Sequence, residues 1–248
     1  MVKSGELCYN TGSIAGSIFP KGECHMRREL FGGAMLRFCC GVILLGILLF
    51  LPAGTLDWWQ AWLLMGVLFM PMFFAGLLML WRSPELLRRR LSAREAEPEQ
   101  RRVIASSGLM FLATFVLAGL NRRFGWIVLP GAVSWAAAAV FLLGYLLYAE
   151  VLRENAWLSR TVEVQDGQRV VDTGLYGVVR HPMYMSTLLL FMSMPLILGS
   201  IPSLIAMLFY LPILRRRIIN EEAVLSKGLE GYADYMKKVR YRIIPYIW

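Results

Sequence analysis

The sequence predicts an all-α fold, a polytopic membrane helical bundle with about six membrane segments. Of its 248 residues, 57% are hydrophobic and only 17% are charged, whereas soluble domains have about a quarter of their residues charged. The apolar residues also form long runs, and crossing about 30 Å of hydrocarbon takes roughly 20 apolar residues as a helix. Because lipid offers backbone amides no hydrogen-bond partner, each long run is expected to be helical.

Charge and cysteine usage exclude two other classes of protein. The net charge is +9, but the Lys and Arg residues lie beside the apolar runs, where they set membrane topology. Nucleic-acid binding is therefore not expected. Cys39 and Cys40 fall in the first apolar run and are interpreted as packing residues, while Cys24-His25 has no second ligand pair at metal spacing. We predict no metal site, and the sequence does not indicate an oligomeric state.

Composition divides the chain into three regions. Residues 1–33 are polar and contain no sustained hydrophobic period, so they are predicted to form a disordered tail. A translation start at Met26 or Met35 would shorten this tail. Residues 34–150 are expected to form an N-terminal transmembrane bundle of four spans. Residues 151–248 are expected to form a C-terminal catalytic region with a hydrophobic helical hairpin and an amphipathic tail.

The first four spans are delimited by ordinary helix and interface signals. Pro52-Ala53-Gly54 ends the first span, and tryptophans flank the second. A loop with seven arginines, residues 82–102, separates the second span from the third. The expected spans are residues 35–51, 58–81, 103–120 and 127–148.

The C-terminal region begins with a polar segment, residues 149–182. Valines on both sides of Asp166-Gly167 indicate a short hairpin or an irregular segment there. A fifth span is expected at residues 183–198, followed by a reversal at Gly199-Ser200-Ile201-Pro202. The sixth apolar run reaches Leu214 and is short for a full crossing, so it is expected to continue as one helix through the following arginines.

Positive charges in the loops predict the orientation. The 52–57 connection has no Lys or Arg and the 82–102 loop has seven arginines, so the latter is predicted to be cytosolic. Both termini and the 149–182 segment then also face the cytosol. Arg122-Arg123 falls on the opposite side and contradicts this pattern mildly. The sequence thus predicts an integral, multi-pass protein of the lipid bilayer with a cytosol-facing site in its C-terminal region.

Arg180-His181-Pro182 is the first candidate for chemistry. Pro182 disfavours helix at His181 and suits the first turn of the following helix. The positive end of that helix dipole disfavours imidazolium, and a neutral imidazole can accept one hydrogen bond and donate another. Arg180 can bind a carboxylate or phosphate through two hydrogen bonds. The alternative is that Arg180 is a membrane-interface anchor and His181 a helix-capping residue.

The acidic pair Glu221-Glu222 is the second candidate. Adjacent residues on a helix point about 100° apart, so one of the two can face the bundle interior. Arg217 and Glu221 are four residues apart and could form an ion pair on the helix surface. The alternative is a solvated amphipathic helix. The sequence leaves open which glutamate faces a site.

These elements together resemble a known family. The chain has a glycine-tyrosine turn at Gly174-Leu175-Tyr176, then Arg180-His181-Pro182-Met183-Tyr184, an apolar hairpin, Asn220-Glu221-Glu222, and finally Tyr232 and Tyr235. In this order and spacing, residues 155–248 resemble the isoprenylcysteine carboxyl methyltransferase family and the related phospholipid methyltransferases. The resemblance is specific to the superfamily and does not specify the substrate.

The resemblance implies S-adenosylmethionine as the cofactor and a lipidic or amphiphilic acceptor. It implies the following cofactor-binding residues: Gly174, Leu175, Tyr176, Arg180, His181, Pro182, Tyr184, Glu221 and Glu222. A carboxylate acceptor would need a cation to orient it, for which Arg217 or Arg216 is the candidate. An amine acceptor would need a deprotonating group, for which Glu222 is the candidate. His181→Ala and Glu222→Gln are expected to weaken cofactor binding more than they destabilise the fold.

A second resemblance implies a different reaction. The chain end, residues 232–248, is also similar to the end of membrane sterol reductases, which have an Arg-His-Pro-x-Tyr element and use a nicotinamide cofactor. Those proteins usually continue the element with Gly and an acidic residue, where this chain has Met185-Ser186. They usually carry Arg-Asp-Glu where Asn220-Glu221-Glu222 stands here. Both departures favour the methyltransferase over an NADPH-dependent oxidoreductase. A non-catalytic membrane or binding protein is the third alternative.

Overall fold

A computed structural model describes residues 21–82, 84, 98–155, 157–158, 164–165 and 167–248, with the side chains of 21–29 and 98–103 excepted. Within these ranges the regular structure is helical, and one isolated antiparallel bridge pairs Val128 with Ser200. The predicted all-α membrane fold is confirmed. The helices are α1 (Lys21–Ala53), α2 (Trp59–Arg82), α3 (Pro98–Phe124), α4 (Gly131–Glu154), α5 (Pro182–Ile197), α6 (Ile201–Leu208), α7 (Tyr210–Gly228) and α8 (Tyr232–Lys238).

Four helices are long and apolar enough to cross a membrane by length and composition: Leu30–Ala53, Trp59–Arg82, Ile104–Phe124 and Gly131–Glu154. They agree with the four spans expected from the sequence. Many of their large apolar side chains are exposed, including Leu44, Leu78 and Leu146. Such a surface suits lipid, in which exposed hydrocarbon carries no penalty.

The expected fifth and sixth segments form a shorter hairpin. Helix α5 has 16 residues and α6 only 8, so neither is as long as the four long spans. Gly199 has a φ of 67°, which a glycine adopts without strain, and this turn reverses the chain. The sixth run is predicted to form one helix with the arginines, but the structure interrupts it at Phe209. The separate helix α7 then contains the three arginines and both glutamates.

Small residues set the close contacts between the helices. A Cβ atom at Gly144 of α4 would lie 3.0 Å from Leu190 Cγ of α5, so these two helices approach closely. The Tyr145 hydroxyl donates to the Leu68 carbonyl at 2.8 Å and ties α4 to α2. The tight contact between α4 and α5 brings the end of α4 to the beginning of α5, where the candidate site lies.

Some predictions fall outside the described residues. They are those for the tail over residues 1–20, for most of the arginine-rich loop, and for part of the hairpin around Asp166. The rest of the predicted tail, from Lys21 onward, belongs to α1.

Gly119 of α3 tests the packing against α1. A Cβ there would lie 2.7 Å from the Leu49 carbonyl oxygen and 2.9 Å from Pro52 Cβ, and backbone atoms cannot move aside cheaply. We expect Gly119→Ala to destabilise the protein by about 1–3 kcal/mol through overpacking. Thermal unfolding in detergent measures this.

Gly108 is the matched control, because it lies on the same helix and a Cβ there would meet nothing within 4 Å. Gly108→Ala should be neutral or stabilise the helix by up to about 1 kcal/mol, since alanine has the higher helix propensity. Equal melting temperatures for the two variants would contradict the close α1–α3 approach.

Candidate functional site

The candidate site lies where the end of α4, the beginning of α5, the middle of α7 and the 239–242 segment meet. The backbone amide of Arg180 donates to the Tyr241 carbonyl at 2.9 Å, and that of His181 donates to the Arg242 carbonyl at 2.8 Å. Pro182 is the first residue of α5 and His181 precedes it with φ −126°, as the sequence rules predict. The Arg-His-Pro segment is thereby fixed by the C-terminal segment through its backbone amides and by α5 through Pro182.

A 3-10 turn, Gly174–Gly177, precedes the Arg-His-Pro segment and is hydrogen-bonded to the end of α4. The Leu175 amide donates to Glu154 Oε2 at 3.0 Å. Gly174 has a φ of 51°, and a Cβ there would lie 1.4 Å from Glu154 Oε1, so any other residue would strain the backbone and displace this carboxylate. The Tyr176 hydroxyl accepts a hydrogen bond from Asn155 Nδ2 at 2.9 Å, which fixes the ring against the end of α4.

The buried carboxylate of Glu222 is the centre of the site. Its Oε1 atom accepts a hydrogen bond from Arg180 Nε at 2.8 Å and lies 3.2 Å from His181 Nε2. Its Oε2 atom is 2.9 Å from Arg242 Nε and 2.8 Å from Arg242 Nη2. Arg180 also donates to the carbonyls of Val239 at 2.7 Å and Arg240 at 2.8 Å. One carboxylate thus joins α5, α7 and the C-terminal segment.

These contacts keep Glu222 ionised. Burial alone would raise its pKa, but hydrogen bonds from His181, Arg242 and Arg180 outweigh burial and lower the pKa from 4.5 to about 2. An ionised carboxylate only accepts hydrogen bonds, so Nε2 of His181 is the donor in this contact. Nδ1 of the same ring is 3.9 Å from Glu221 Oε1, which is beyond hydrogen-bond distance.

Glu221 belongs to a second, more open group of side chains. The Tyr184 hydroxyl donates to Glu221 Oε2 at 2.5 Å and accepts from Arg217 Nε at 2.8 Å. The guanidinium of Arg217 also lies 5.9 Å from the centre of the Tyr184 ring. The Glu221 side chain is 23% exposed, whereas that of Glu222 is 8% exposed. A ligand can therefore reach Glu221 but not Glu222.

A pocket of about 820 Å³, its open part included, adjoins this second group. The enclosed part measures only about 90 Å³, so most of this space is open to the surroundings. Aromatic, cationic and acidic side chains share its walls, which suits a ligand with several charged groups. Its described lining residues are Asn155, Trp157, Leu158, Gln168, Arg169, Val170, Val171, Tyr176, Arg180, His181, Met183, Tyr184, Arg217, Glu221, Leu225, Leu229, Tyr232 and Tyr235.

The structure brings most of the predicted site residues to this pocket. Tyr176, Arg180, His181, Tyr184, Arg217 and Glu221 line it. Gly174, Leu175 and Pro182 lie behind the wall, where they shape the turn and the start of α5. Among the described residues, no group of three or more His, Cys, Asp or Glu side chains could hold a metal ion.

The expectation for Glu222 requires correction. It does not appear among the described lining residues, and its two oxygens accept hydrogen bonds from the buried Arg180 and the half-buried Arg242. A carboxylate whose pKa is lowered to about 2 is a poor base, so Glu222 is not suited to deprotonate an acceptor. Its neighbour Glu221 is the glutamate that faces the pocket.

Sequence reasoning missed several lining residues. Trp157 and Arg169 come from the polar segment, which offered no period or motif to place them. The sequence assigns Tyr232 no role beyond its spacing to Tyr235. Its hydroxyl is buried and has no hydrogen-bond partner among the described residues, although the side chain lines the pocket. A buried tyrosine hydroxyl next to a pocket is a signal that the sequence alone does not carry.

Residues 132–230 match the family model for phospholipid methyltransferase. This region contains α5, α6, α7 and all but the first residue of α4, and thus most of the candidate site. The match confirms the resemblance inferred from the motif order.

Curated relatives from a second group also match. A Delta(14)-sterol reductase of Mus musculus is 30% identical over 91 residues, 36% of this chain and 22% of the mouse protein. The Delta(14)-sterol reductase of Arabidopsis thaliana is 26% identical over 143 residues, 50% of this chain and 38% of that protein. That of Methylotuvimicrobium alcaliphilum is 29% identical over 168 residues, 52% of this chain and 39% of that protein. The chain thus spans two-fifths or less of the length of these relatives.

The fold is similar to a solved structure of the eukaryotic intramembrane Ras methyltransferase, isoprenylcysteine carboxyl methyltransferase. The TM-score is 0.51 at 19% identity, over 82% of this chain and 74% of that one. The shared fold extends beyond the region that the family model matches. At 19% identity this likeness shows a shared membrane fold, and the family model adds a match to phospholipid methyltransferase over residues 132–230.

Glu222→Gln tests the buried charge centre. The change leaves Arg180 and Arg242 without their counterion, which should destabilise the protein by about 3–5 kcal/mol. The pKa of Glu222 is about 2 when folded, against 4.5 otherwise. Ionised Glu222 therefore stabilises the fold above about pH 4.5, and this contribution is lost as the pH falls from about 4.5 to about 2. Unfolding curves across this pH range measure both effects.

Glu150→Gln is the control, because Glu150 pairs with Arg153 on an exposed surface, where ion pairs contribute little. It should unfold like the wild-type protein at every pH. If Glu222→Gln shared the acid transition of the wild type, Glu222 would not be the group that titrates.

Proposed function

We propose that the protein is an integral membrane methyltransferase that uses S-adenosylmethionine to methylate a lipidic or amphiphilic acceptor, in the manner of isoprenylcysteine carboxyl methyltransferase. The observation that carries the proposal is the pocket beside Tyr184, Arg217 and Glu221, formed by the motif residues of the matched family. We further propose that this pocket faces the cytosol, as the distribution of arginines favours.

The residues of the pocket suit this cofactor. S-adenosylmethionine carries a sulfonium, an ammonium, a carboxylate and an adenine. Glu221 supplies a carboxylate for the cationic groups, and Arg169 a guanidinium for the anionic one. Trp157 and Tyr232 offer aromatic faces, on which an adenine ring can stack. The Tyr232 hydroxyl is buried without a partner among the described residues, so it can form a hydrogen bond with a ligand.

The cofactor supplies an electrophilic methyl group, and the residues of this chain supply binding, alignment and the exclusion of water. Displacement at a methyl group needs the acceptor atom in line with it, so holding both in one geometry is the main catalytic task. Arg217 is suited to orient an acceptor carboxylate, which is already ionised at neutral pH and needs no base. An amine acceptor would have to lose a proton, and Glu221 is the carboxylate positioned to accept it.

The hydrogen-bonded series from Arg217 through Tyr184 to Glu221 supports these roles. The Tyr184 hydroxyl accepts from the cation and donates to the carboxylate, so each side chain limits the rotation of the next. Side chains fixed before binding lose little entropy when a ligand arrives. The site therefore offers a cation and an anion at fixed positions on one wall.

Two other functions are carried as alternatives. The matches to Delta(14)-sterol reductases favour an NADPH-dependent membrane oxidoreductase. Against it stands Glu221, whose carboxylate would oppose the phosphates of a nicotinamide dinucleotide. The second alternative is a phospholipid N-methyltransferase, which the family model names. It shares the cofactor and differs in the acceptor atom.

Calorimetric titration of detergent-purified protein with S-adenosylhomocysteine and, separately, with NADPH distinguishes these functions. We expect saturable binding of S-adenosylhomocysteine and none of NADPH. The reverse result would replace the proposal with the reductase, and binding of neither would favour a non-catalytic protein. Labelled methyl transfer to prenylcysteine, fatty-acid and phosphatidylethanolamine acceptors would then identify the acceptor.

A pair of glutamate variants separates binding from folding. Glu221→Gln removes a charge from the pocket wall and should weaken S-adenosylhomocysteine binding about tenfold or more, with a small change in melting temperature. Glu222→Gln should instead lower the melting temperature strongly, because it breaks the buried charge centre. Calorimetry and thermal unfolding measure the two effects. The assignment of Glu221 fails if its variant binds like the wild type.

Tyr232→Phe tests the unpaired hydroxyl. Loss of one hydrogen bond to a ligand costs about 1 kcal/mol, so the affinity should fall about fivefold. The melting temperature should stay equal or rise, because the change removes a buried hydroxyl without a partner among the described residues. Tyr235→Phe is the contrast, since its hydroxyl donates to the Tyr176 carbonyl at 2.8 Å and its loss should lower stability. Unchanged affinity in Tyr232→Phe would remove Tyr232 from the site.

A further inference from the structure

A second cavity lies on the outer surface of the bundle, between α3 and the α6–α7 pair. It measures about 1210 Å³ with its open side included. Leu109, Ala113 and Leu117 form one wall, and Ile205, Phe209 and others form the facing wall. Leu109, Ile205 and Phe209 are 69%, 58% and 65% exposed, so the groove opens toward the surroundings of the bundle. In a membrane those surroundings are lipid.

The groove has one polar end. Ser106 on α3 and Arg216 on α7 are the polar side chains among its lining residues, and both are exposed. Among the described residues, Arg216 forms no ion pair with an acidic side chain. The cavity is thus apolar along its length and cationic at the end nearest the cofactor pocket, where α7 carries both Arg216 and Arg217.

The apolar length corresponds to half a bilayer. Ser106 and Leu117 are eleven residues apart on α3, which is about 16 Å of helix. The hydrocarbon core of a bilayer is about 30 Å thick, so one leaflet contributes about 15 Å. An acyl chain lying along α3 would therefore reach from Leu117 to the polar boundary at Ser106 and Arg216. A headgroup at that boundary meets a guanidinium.

The groove and the cofactor pocket are separate. No described residue lines both, because adjacent positions on α7 point about 100° apart. Arg216 with Ile213 faces α3, whereas Arg217 faces Tyr184 and the pocket. An occupant of the groove can touch α7 without reaching the wall that contains Glu221. This separation argues against the methyl acceptor as the occupant.

We propose that this groove binds one acidic phospholipid from the leaflet on the pocket's side of the bilayer, with an acyl chain between α3 and α6–α7 and its phosphate on Arg216. Basic pockets between membrane helices bind anionic headgroups in this way. The lipid fills the gap beside α7 and steadies the helix that carries Arg217 and Glu221. The proposal does not depend on the reaction that the pocket performs.

Arg215 provides a matched control. It is exposed, stands next to Arg216 on α7 and forms no ion pair among the described residues, but it does not line the groove. Arg215→Ala and Arg216→Ala remove the same charge from the same stretch of helix. Ala113→Trp fills the groove with an indole, and Ala139→Trp adds the same ring at an exposed position of α4.

The test is thermal unfolding of the full chain in detergent with added phosphatidylglycerol or phosphatidylcholine, together with native mass spectrometry of the retained lipid. Phosphatidylglycerol should raise the melting temperature of the wild type by about 5 °C more than phosphatidylcholine. Arg216→Ala and Ala113→Trp should lose most of this difference, while Arg215→Ala and Ala139→Trp should keep it. One retained phosphatidylglycerol per chain is the expected stoichiometry.

Several results would overturn the proposal. Equal rises in melting temperature with both lipids would show that the groove does not distinguish headgroup charge. If Arg215→Ala and Arg216→Ala lost the phosphatidylglycerol effect equally, the effect would come from the overall charge of α7. A dimer lost only in the groove variants would assign the groove to a second copy of the chain. Methylation of the retained lipid would assign it to the acceptor. Binding of S-adenosylhomocysteine, measured in the same samples, tests the proposed function independently of all these results.

Discussion

The ion cluster around Glu222 is the interaction on which the rest of the site depends. A single buried carboxylate accepts hydrogen bonds from Arg180 and Arg242 and lies within hydrogen-bond distance of His181. Isolated buried charges are costly, and this cluster is stable because each ion has its counterion and hydrogen bonds. Arg180 also donates hydrogen bonds to the backbone carbonyls of Val239 and Arg240. The start of α5, the middle of α7 and the chain beyond α8 therefore cannot separate without exposing a charge.

The electrostatics of the pocket follow from this cluster. The negative charge of Glu222 balances one of the two positive charges of Arg180 and Arg242, so one positive charge remains in excess. Glu221 lies beside that excess and carries the acidic charge that a ligand can reach. Tyr184 joins it to Arg217, so the pocket presents an anion and a cation on one wall. A division between an internal, structural glutamate and an external, ligand-facing one explains why the pair is adjacent in sequence.

Much of this arrangement is predictable from the sequence, and the rest depends on tertiary contacts. The four long spans are predictable because bilayer thickness sets the length of an apolar run. The start of α5 is predictable because Pro182 restricts its neighbours. Which glutamate faces the pocket depends on how α7 is rotated against α5, and no local rule gives that rotation. Arg242 joins Glu222 from the chain beyond α8, where no local rule assigns it a partner, and Trp157 reaches the pocket from an irregular segment.

The separation between a buried frame and an exposed lining has an evolutionary consequence. Arg180 and His181 line the pocket, but with Glu222 they satisfy one another, so substitutions of the other lining side chains leave the frame intact. A lineage could replace Glu221, Arg169 or Trp157 and so change the ligand that the pocket accepts, while every helix stayed in place. The similarity of this chain both to methyltransferases and to sterol reductases is what such a frame would produce. Proteins that share this fold are then expected to differ in chemistry through the side chains that line the pocket.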